Sequence, residues 1–358
     1  MNRFCAILIV AGFLFILTGC ESDTDDTNTP VPSVIRVQLS EKDFIKGQYF
    51  WLTDTDSSGQ PGDPPEFRKS VPNCRENYQL FSHRMHVALP LESRIIGAEF
   101  WTKSSDADSG TPGLAVNLQY TRYLNWSWED FPEWMFGGGD KGLWRRLQPD
   151  TDYVLDTYLG VVRLKRPVLE SEAFACAFAS ASGMFGIFAE LTDTVRLILL
   201  KPTNSDPEYD TWNLMFRHVY PLGIPIADLS KLTLTISRLT GSLQEMCPPG
   251  MTMSYATYFR FDLEQPDGTA GPDGIVDNYS SLISRDFGEM HFLDLSPFDP
   301  SGFEDPPGTP HLWDFTLLEQ TSGDLEGFRA PYLYTEPAYE LSGHAAKWQI
   351  MAEYQLED

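Results

Sequence analysis

Cys20 carries the most definite chemistry in this chain. It closes Leu17-Thr-Gly-Cys20, behind a short basic head (Met1-Asn-Arg3) and an apolar run from Phe4 to Leu17. Small residues before a cysteine, after a brief apolar stretch, are what export and lipid-transfer machinery reads. The expectation is that residues 1–19 are a lipoprotein signal peptide and that the Cys20 thiol is acylated. A retained membrane span is the competing reading, and it fails on length, because a span needs about 20 apolar residues. Residues 20–33 are acidic, polar and proline-bearing, a composition that cannot bury enough apolar surface to fold and so reads as a disordered tether.

A second group of residues could hold a cation. Asp262, Asp267, Asp273 and Asp277 flank the tight-turn pairs Asp267-Gly268 and Asp273-Gly274. Calcium takes six to eight oxygen ligands, which carboxylates and loop carbonyls supply. Calcium is therefore the one cofactor the sequence offers, against the plainer reading that these are turn residues before a strand. The six histidines are dispersed, and the close pair His83 and His86 would point to opposite faces of a strand. Zinc is not expected, and no catalytic residues are assigned; the chain reads as a non-enzyme.

The stretch from Tyr120 to Trp134 is dense in aromatics, including Trp126, Trp128 and Trp134. Exposed rings of this kind anchor protein interfaces and stack on sugars; the alternative is a loop whose rings complete the core. Three cysteines follow Cys20. Cys176 lies in an apolar strand-like run and reads as an inert buried thiol. Cys74 and Cys247 lie in turn-rich segments, and if an exported protein bridges any pair it is Cys74 with Cys247; the alternative is lone thiols.

The elements that must position these residues are mostly strands. Residues 33–39, 84–89, 114–120, 195–200 and 232–238 alternate or run apolar over strand lengths, bounded by Gly, Pro, Asp or Ser. The expected fold class is all-β, a mainly antiparallel sandwich or jelly-roll-like body, with one or two short helices. One helix is expected just after Asp210, where Trp212, Met215, Phe216 and Val219 follow i, i+3, i+4, i+7 and Pro221 would end it. Residues 34–358 are long enough for one large body or two packed lobes.

Charge limits the partners. With 51 acidic against 26 basic side chains and a formal net charge of -25, the chain lacks the clustered Lys and Arg that phosphate backbones require, so nucleic acid is excluded.

Several blocks occur in an order that resembles a known family. They are Trp144-Arg-Arg-Leu-Gln-Pro-Asp-Thr-Asp-Tyr153, residues 159–164 and 173–178, Leu197-Ile-Leu-Leu-Lys-Pro202, residues 210–223 and 232–236, Phe259-Arg-Phe-Asp262, Gly271-Pro-Asp-Gly-Ile-Val-Asp277, and residues 288–298. Over roughly residues 75–355 this resembles the N-terminal-type module of the SprA (Sov) family, the outer-membrane translocon of type IX secretion and gliding motility. The resemblance implies a stand-alone, lipid-anchored accessory or structural subunit of such an apparatus at the outer membrane, on its periplasmic face or at the cell surface, with outer-membrane or envelope proteins as partners. It does not imply the conduit, because this chain is one module and lacks the repeated lipid-facing strands of a membrane barrel. A surface carbohydrate-binding lipoprotein is the alternative.

Overall fold

Leu232–Thr240 and Trp348–Gln355 place Leu232, Leu234 and Ile236, and Trp348, Ile350, Ala352 and Tyr354, on one buried face, with less buried and mostly polar residues between them. Period-two patterning of this kind gives a sheet one apolar side. In the computed structural model, which describes residues 7–10, 13–16, 33–83, 88–103, 110–127, 129–131, 138–189, 193–248, 251–277, 282–299 and 328–356, the two strands pair antiparallel with Ile236 opposite Ile350. Val34–Ser40 adds to one edge, Leu39 opposite Ile350, and Leu243–Glu245 to the other. Their inner face packs on aromatic rings that meet edge to face: Tyr255 on Trp348 at 4.9 Å, Phe259 on Phe292 at 4.9 Å and Phe292 on Phe298 at 5.3 Å. Such rings add specific geometry to large buried area. The buried carboxylate of Glu41 accepts from the Lys347 and Trp348 backbone N–H groups at 3.1 and 3.0 Å and from the Tyr332 hydroxyl, as burying a charge requires.

A second core is built by residues 49–219, with Leu295. Phe174–Ser180 and Val195–Lys201 are apolar on both faces, the mark of strands covered on two sides. Their pairings close on themselves. Phe174–Ser180 pairs with Ile95–Lys103 and Val195–Lys201; Val195–Lys201 pairs in parallel with Thr111–Val116; Gly139–Arg146 then joins Thr111–Val116 to Ile95–Lys103. Inside this ring sit Trp101, Trp144, Ala173, Ala175, Ala177, Val195, Leu197 and Leu199. Two indoles fit because their neighbours are small. A Cβ at Gly113 would stand 2.8 Å from the Trp144 ring and 2.3 Å from Val195 Cγ2, and the Trp144 Nε1 donates to the Gly113 carbonyl at 3.1 Å. The outer face of the ring carries Phe100, Phe174, Cys176 and Phe178 into the second core, against the three-stranded sheet of Tyr49–Trp51, Val161–Leu164 and Tyr153–Asp156.

The all-β, mainly antiparallel class expected from the sequence is what the structure shows, with a few short helices. Four local expectations change. The segment after Asp210 forms a single 3-10 turn, Trp212–Leu214, and not a helix reaching Val219. Met215 instead bridges Phe50, the Phe216 N–H donates to the Tyr49 carbonyl at 3.0 Å, and Val219–Pro221 becomes a strand, so tertiary pairing overrides the helical spacing. Cys74 opens an α-helix, Cys74–His83, where a turn-rich loop was expected. The strand expected over 114–120 runs instead over Thr111–Val116 and gives way to a 3-10 stretch, Leu118–Asn125; the strand expected at 84–89 lies mostly outside the described residues. Cys74, Cys176 and Cys247 are free thiols, so the Cys74–Cys247 bridge is not formed. Cys74 and Cys176 are both buried in the second core, and burial pushes the Cys74 thiol up to about 11.

Among the described residues no helix is long and apolar enough to cross a membrane. The apolar segments Ile7–Val10 and Phe13–Ile16 pair as an antiparallel hairpin. Cys20 and the tether up to residue 32 lie outside the described residues.

Candidate functional site

Between the two cores lies a cleft of about 560 Å³. One wall is the sheet of Tyr49–Trp51 and Val161–Leu164, with Tyr78 and Phe81 from the helix; the other carries Leu263, Leu282, Phe287, His291 and Phe292. Val219–Pro221 pairs with Glu289–His291, which pairs in turn with Ile283–Ser284. The turn between the last two strands is sharp: Gly288 has φ +61, and a Cβ there would meet the Ile224 carbonyl oxygen at 1.8 Å, so only glycine fits. This turn aims Phe287 and Glu289 toward the second core.

The polar centre of the cleft is one bonded cluster. Arg163 stands opposite Tyr49 in the strand pairing. Its Nη2 donates to Glu289 Oε1 at 2.7 Å, its Nε donates to the Tyr49 hydroxyl at 2.9 Å, and that hydroxyl donates to Glu289 Oε2. The guanidinium also lies over the Phe287 ring, 3.6 Å from its centroid. Arg163 and Glu289 are largely buried, and fork-to-carboxylate bonding is what makes such a pair tolerable away from water. Burial works against the Arg163 charge, yet its bonds to Glu289 and the neighbouring Tyr49 hold its pKa above the ordinary range. Burial first, then the Glu289 charge, push the Tyr49 hydroxyl upward.

His291 meets the Tyr49 ring edge-on at 5.6 Å, and its buried Nε2 has no hydrogen-bond partner among the described residues. Burial pulls its pKa down to about 4, with Glu289 opposing and Arg163 assisting. Behind it, fully buried His218 stacks on Phe216 at 4.7 Å and sits 3.3 Å from the Tyr78 hydroxyl through Nε2; burial and the neighbouring His291 hold it neutral. Two further carboxylates that line the cleft are bonded to backbone: Asp156 accepts from the Tyr158 and Leu159 N–H groups, and Asp277 from those of Leu263 and Glu264. Leu263 and Phe287 are 41% and 42% exposed on the rim. The arrangement offers an apolar, aromatic surface with a fixed polar centre, which suits binding.

The four aspartates named from the sequence come near one another without converging. Asp262 accepts from the Asp273 and Gly274 N–H groups at 2.9 Å each; Asp267 accepts from the Thr269 N–H and hydroxyl; Asp273 accepts from the Ile275 N–H at 2.8 Å. Burial raises the Asp262 pKa, while the Thr269 bonds lower that of Asp267. The Asp267 and Asp273 bonds are turn bonds of the Asx kind, whereas Asp262 ties together backbone distant in sequence, and among the described residues no three His, Cys, Asp or Glu side chains gather as a metal site. Trp126 is 41% exposed and lies edge-on to Tyr123 at 4.6 Å; Trp128 and Trp134 lie outside the described residues. Arg163, Glu289, Tyr49 and His291 were not singled out by sequence reasoning. The available signal was a charge inside a buried apolar run, as in Val161-Val-Arg163-Leu164 and Phe216-Arg217-His218-Val219.

Set against known proteins, the chain matches no family model and no curated protein.

Proposed function

We propose that this protein is a lipid-anchored envelope subunit, tethered through Cys20 at the outer membrane, that acts by holding a partner protein in the cleft between its two cores. The apparatus it serves, on the resemblance of its sequence blocks, is one of type IX secretion or gliding motility. The observation that carries the binding role is the cleft itself. Its rim exposes Leu263 and Phe287, while Arg163, Glu289, Asp156 and Asp277 are already bonded to one another or to backbone. Exposed apolar side chains grouped on a concave surface mark interaction sites, and polar groups fixed in advance set orientation at little entropic cost. The test is a pull-down from detergent-solubilised envelopes with the full mature protein and with a Leu263→Ser, Phe287→Ser double variant. Recovery of outer-membrane secretion or motility components by the wild type, lost in the variant, is the expected result. Equal recovery by both overturns the cleft as the binding surface.

The exposed ring of Trp126 favours a second reading, a surface carbohydrate-binding lipoprotein, since sugars stack on such faces. Retention of the wild type on envelope polysaccharide, abolished by Trp126→Ala, would replace the first reading with this one.

A further inference from the structure

A separate cavity of about 270 Å³ gathers Trp51, Arg75 and Arg217, with Ser296, Thr335 and Asp299 among its other lining residues. The first three come from different elements: the strand Tyr49–Trp51, the first turn of the helix Cys74–His83, and the link between the turn Trp212–Leu214 and the strand Val219–Pro221. Among the described residues each contributes a buried donor with no acceptor: Trp51 Nε1, Arg75 Nε and Arg217 Nη2. Buried polar atoms are nearly always bonded, and an unpaired buried donor is costly, more so when it is charged.

The charge balance points the same way. Arg217 is 5% exposed; its Nη1 donates to the Trp212 and Met215 carbonyls at 3.0 and 3.4 Å, and its guanidinium lies 4.0 Å from the Trp212 ring centroid. None of these contacts is an anion. Arg75 forms no ion pair among the described residues; the charge of Asp54 offsets it at longer range, and its guanidinium lies 5.7 Å from the Trp51 ring. Asp299 is bonded to Arg329 Nε at 2.9 Å. Two guanidinium groups thus share one cavity, and among the described residues no carboxylate is bound to either, in a chain whose net charge is -25. Burial, with the Arg75 charge adding to it, pulls Arg217 down to about 9. Isolated buried cations are tolerated when a counter-charge accompanies them.

We infer that this cavity is a binding site for a tetrahedral oxyanion, a phosphoryl or sulfate group held by Arg75, Arg217 and Trp51. Three donors drawn from three elements suit a ligand that carries acceptor oxygens on several sides, as a tetrahedral anion does. Guanidinium forks match such oxygens in pairs. The hydroxyl-bearing Ser296 and Thr335 line the same space, and Thr335 is exposed, so the cavity has a polar way out to solvent.

Calorimetry and thermal melts of the full mature protein in detergent test this with inorganic phosphate, sulfate and glycerol phosphate, each against sodium chloride at equal ionic strength. A saturable heat and a raised melting temperature are expected for phosphate or sulfate. Arg75→Gln and Arg217→Gln should each weaken binding by about tenfold or more, the loss expected for a hydrogen bond to a charged group. Trp51→Phe removes one N–H, keeps an aromatic ring and should weaken binding by less; it carries the test where an arginine variant fails to fold. Tighter binding of glycerol phosphate than of phosphate assigns the site to a phosphoryl headgroup, and equal binding assigns it to the free anion. No response to any of the three above chloride, or unchanged affinity in the folded variants, overturns the inference.

Discussion

At the scale of single residues, the two histidines of the cleft make a prediction about acid. The His291 pKa, pulled down to about 4 by burial, lies below the ordinary 6.5, and His218 is depressed in the same direction. A folded-state pKa below the unfolded one means that the folded protein resists protonation. The stability is then fully present above about pH 6.5 and is lost as pH falls toward 4. The gap for His291 alone corresponds to about 3 kcal/mol. Denaturant melts from pH 7.5 to 4 should show this loss, and His291→Phe, which cannot titrate and keeps a flat ring against Tyr49, should flatten the profile over that window. A variant profile parallel to the wild type would mean that His291 charges freely in the folded state. Neither histidine was marked as special in the sequence, because what sets their chemistry is the rings that bury them: Tyr49, Trp51, Phe216 and Tyr78, drawn from segments far apart in the chain.

At the scale of elements, periodicity made most strands legible and misled over residues 117–120 and after Asp210. Val34–Ser40, Phe174–Ser180, Val195–Lys201 and Leu232–Thr240 form close to where alternation or an apolar run puts them, since a pleated backbone and a one-sided core enforce the period directly. The spacing of Trp212, Met215, Phe216 and Val219 carries the helical period for another reason: Phe216 and Val219 serve the second core, while Trp212 packs elsewhere, its Nε1 donating to the Tyr334 carbonyl at 2.5 Å. Which residues share a cluster is decided by pairing between Phe50 and Met215, an interaction no local window contains. The same segment yields a prediction. Trp212 is 7% exposed and has Arg217 over its ring, so Trp212→Ala should cost roughly 3–5 kcal/mol in a denaturant melt, the range for a large buried aromatic. A loss below about 0.5 kcal/mol would be that of an exposed side chain and would refute the packing described.

At the scale of the whole molecule, the first and last strands of the body belong to the same core, and this bears on the anchor. Val34–Ser40 enters the sheet of the core that the last strand, Trp348–Gln355, also builds; residues 49–219 then form the other core before the chain returns. The chain therefore enters its body along an edge strand pinned at seven paired positions, from Val34 to Ser40. On the proposed anchoring, a tether over residues 20–33 would span about 45 Å at roughly 3.3 Å per residue, enough to let the cleft face a neighbour in the envelope. If Cys20 is the anchor, Cys20→Ser should accumulate as an unprocessed precursor without acyl label, and the body should stay folded because Val34–Ser40 keeps its partners. Metabolic labelling with a fatty acid, a size comparison with the wild type and a melt of the purified variant read all three. The signal-peptide and lipid-anchor assignment is overturned if the variant is processed and labelled as the wild type is; an unlabelled variant that no longer melts cooperatively would instead show that the sheet depends on its tether.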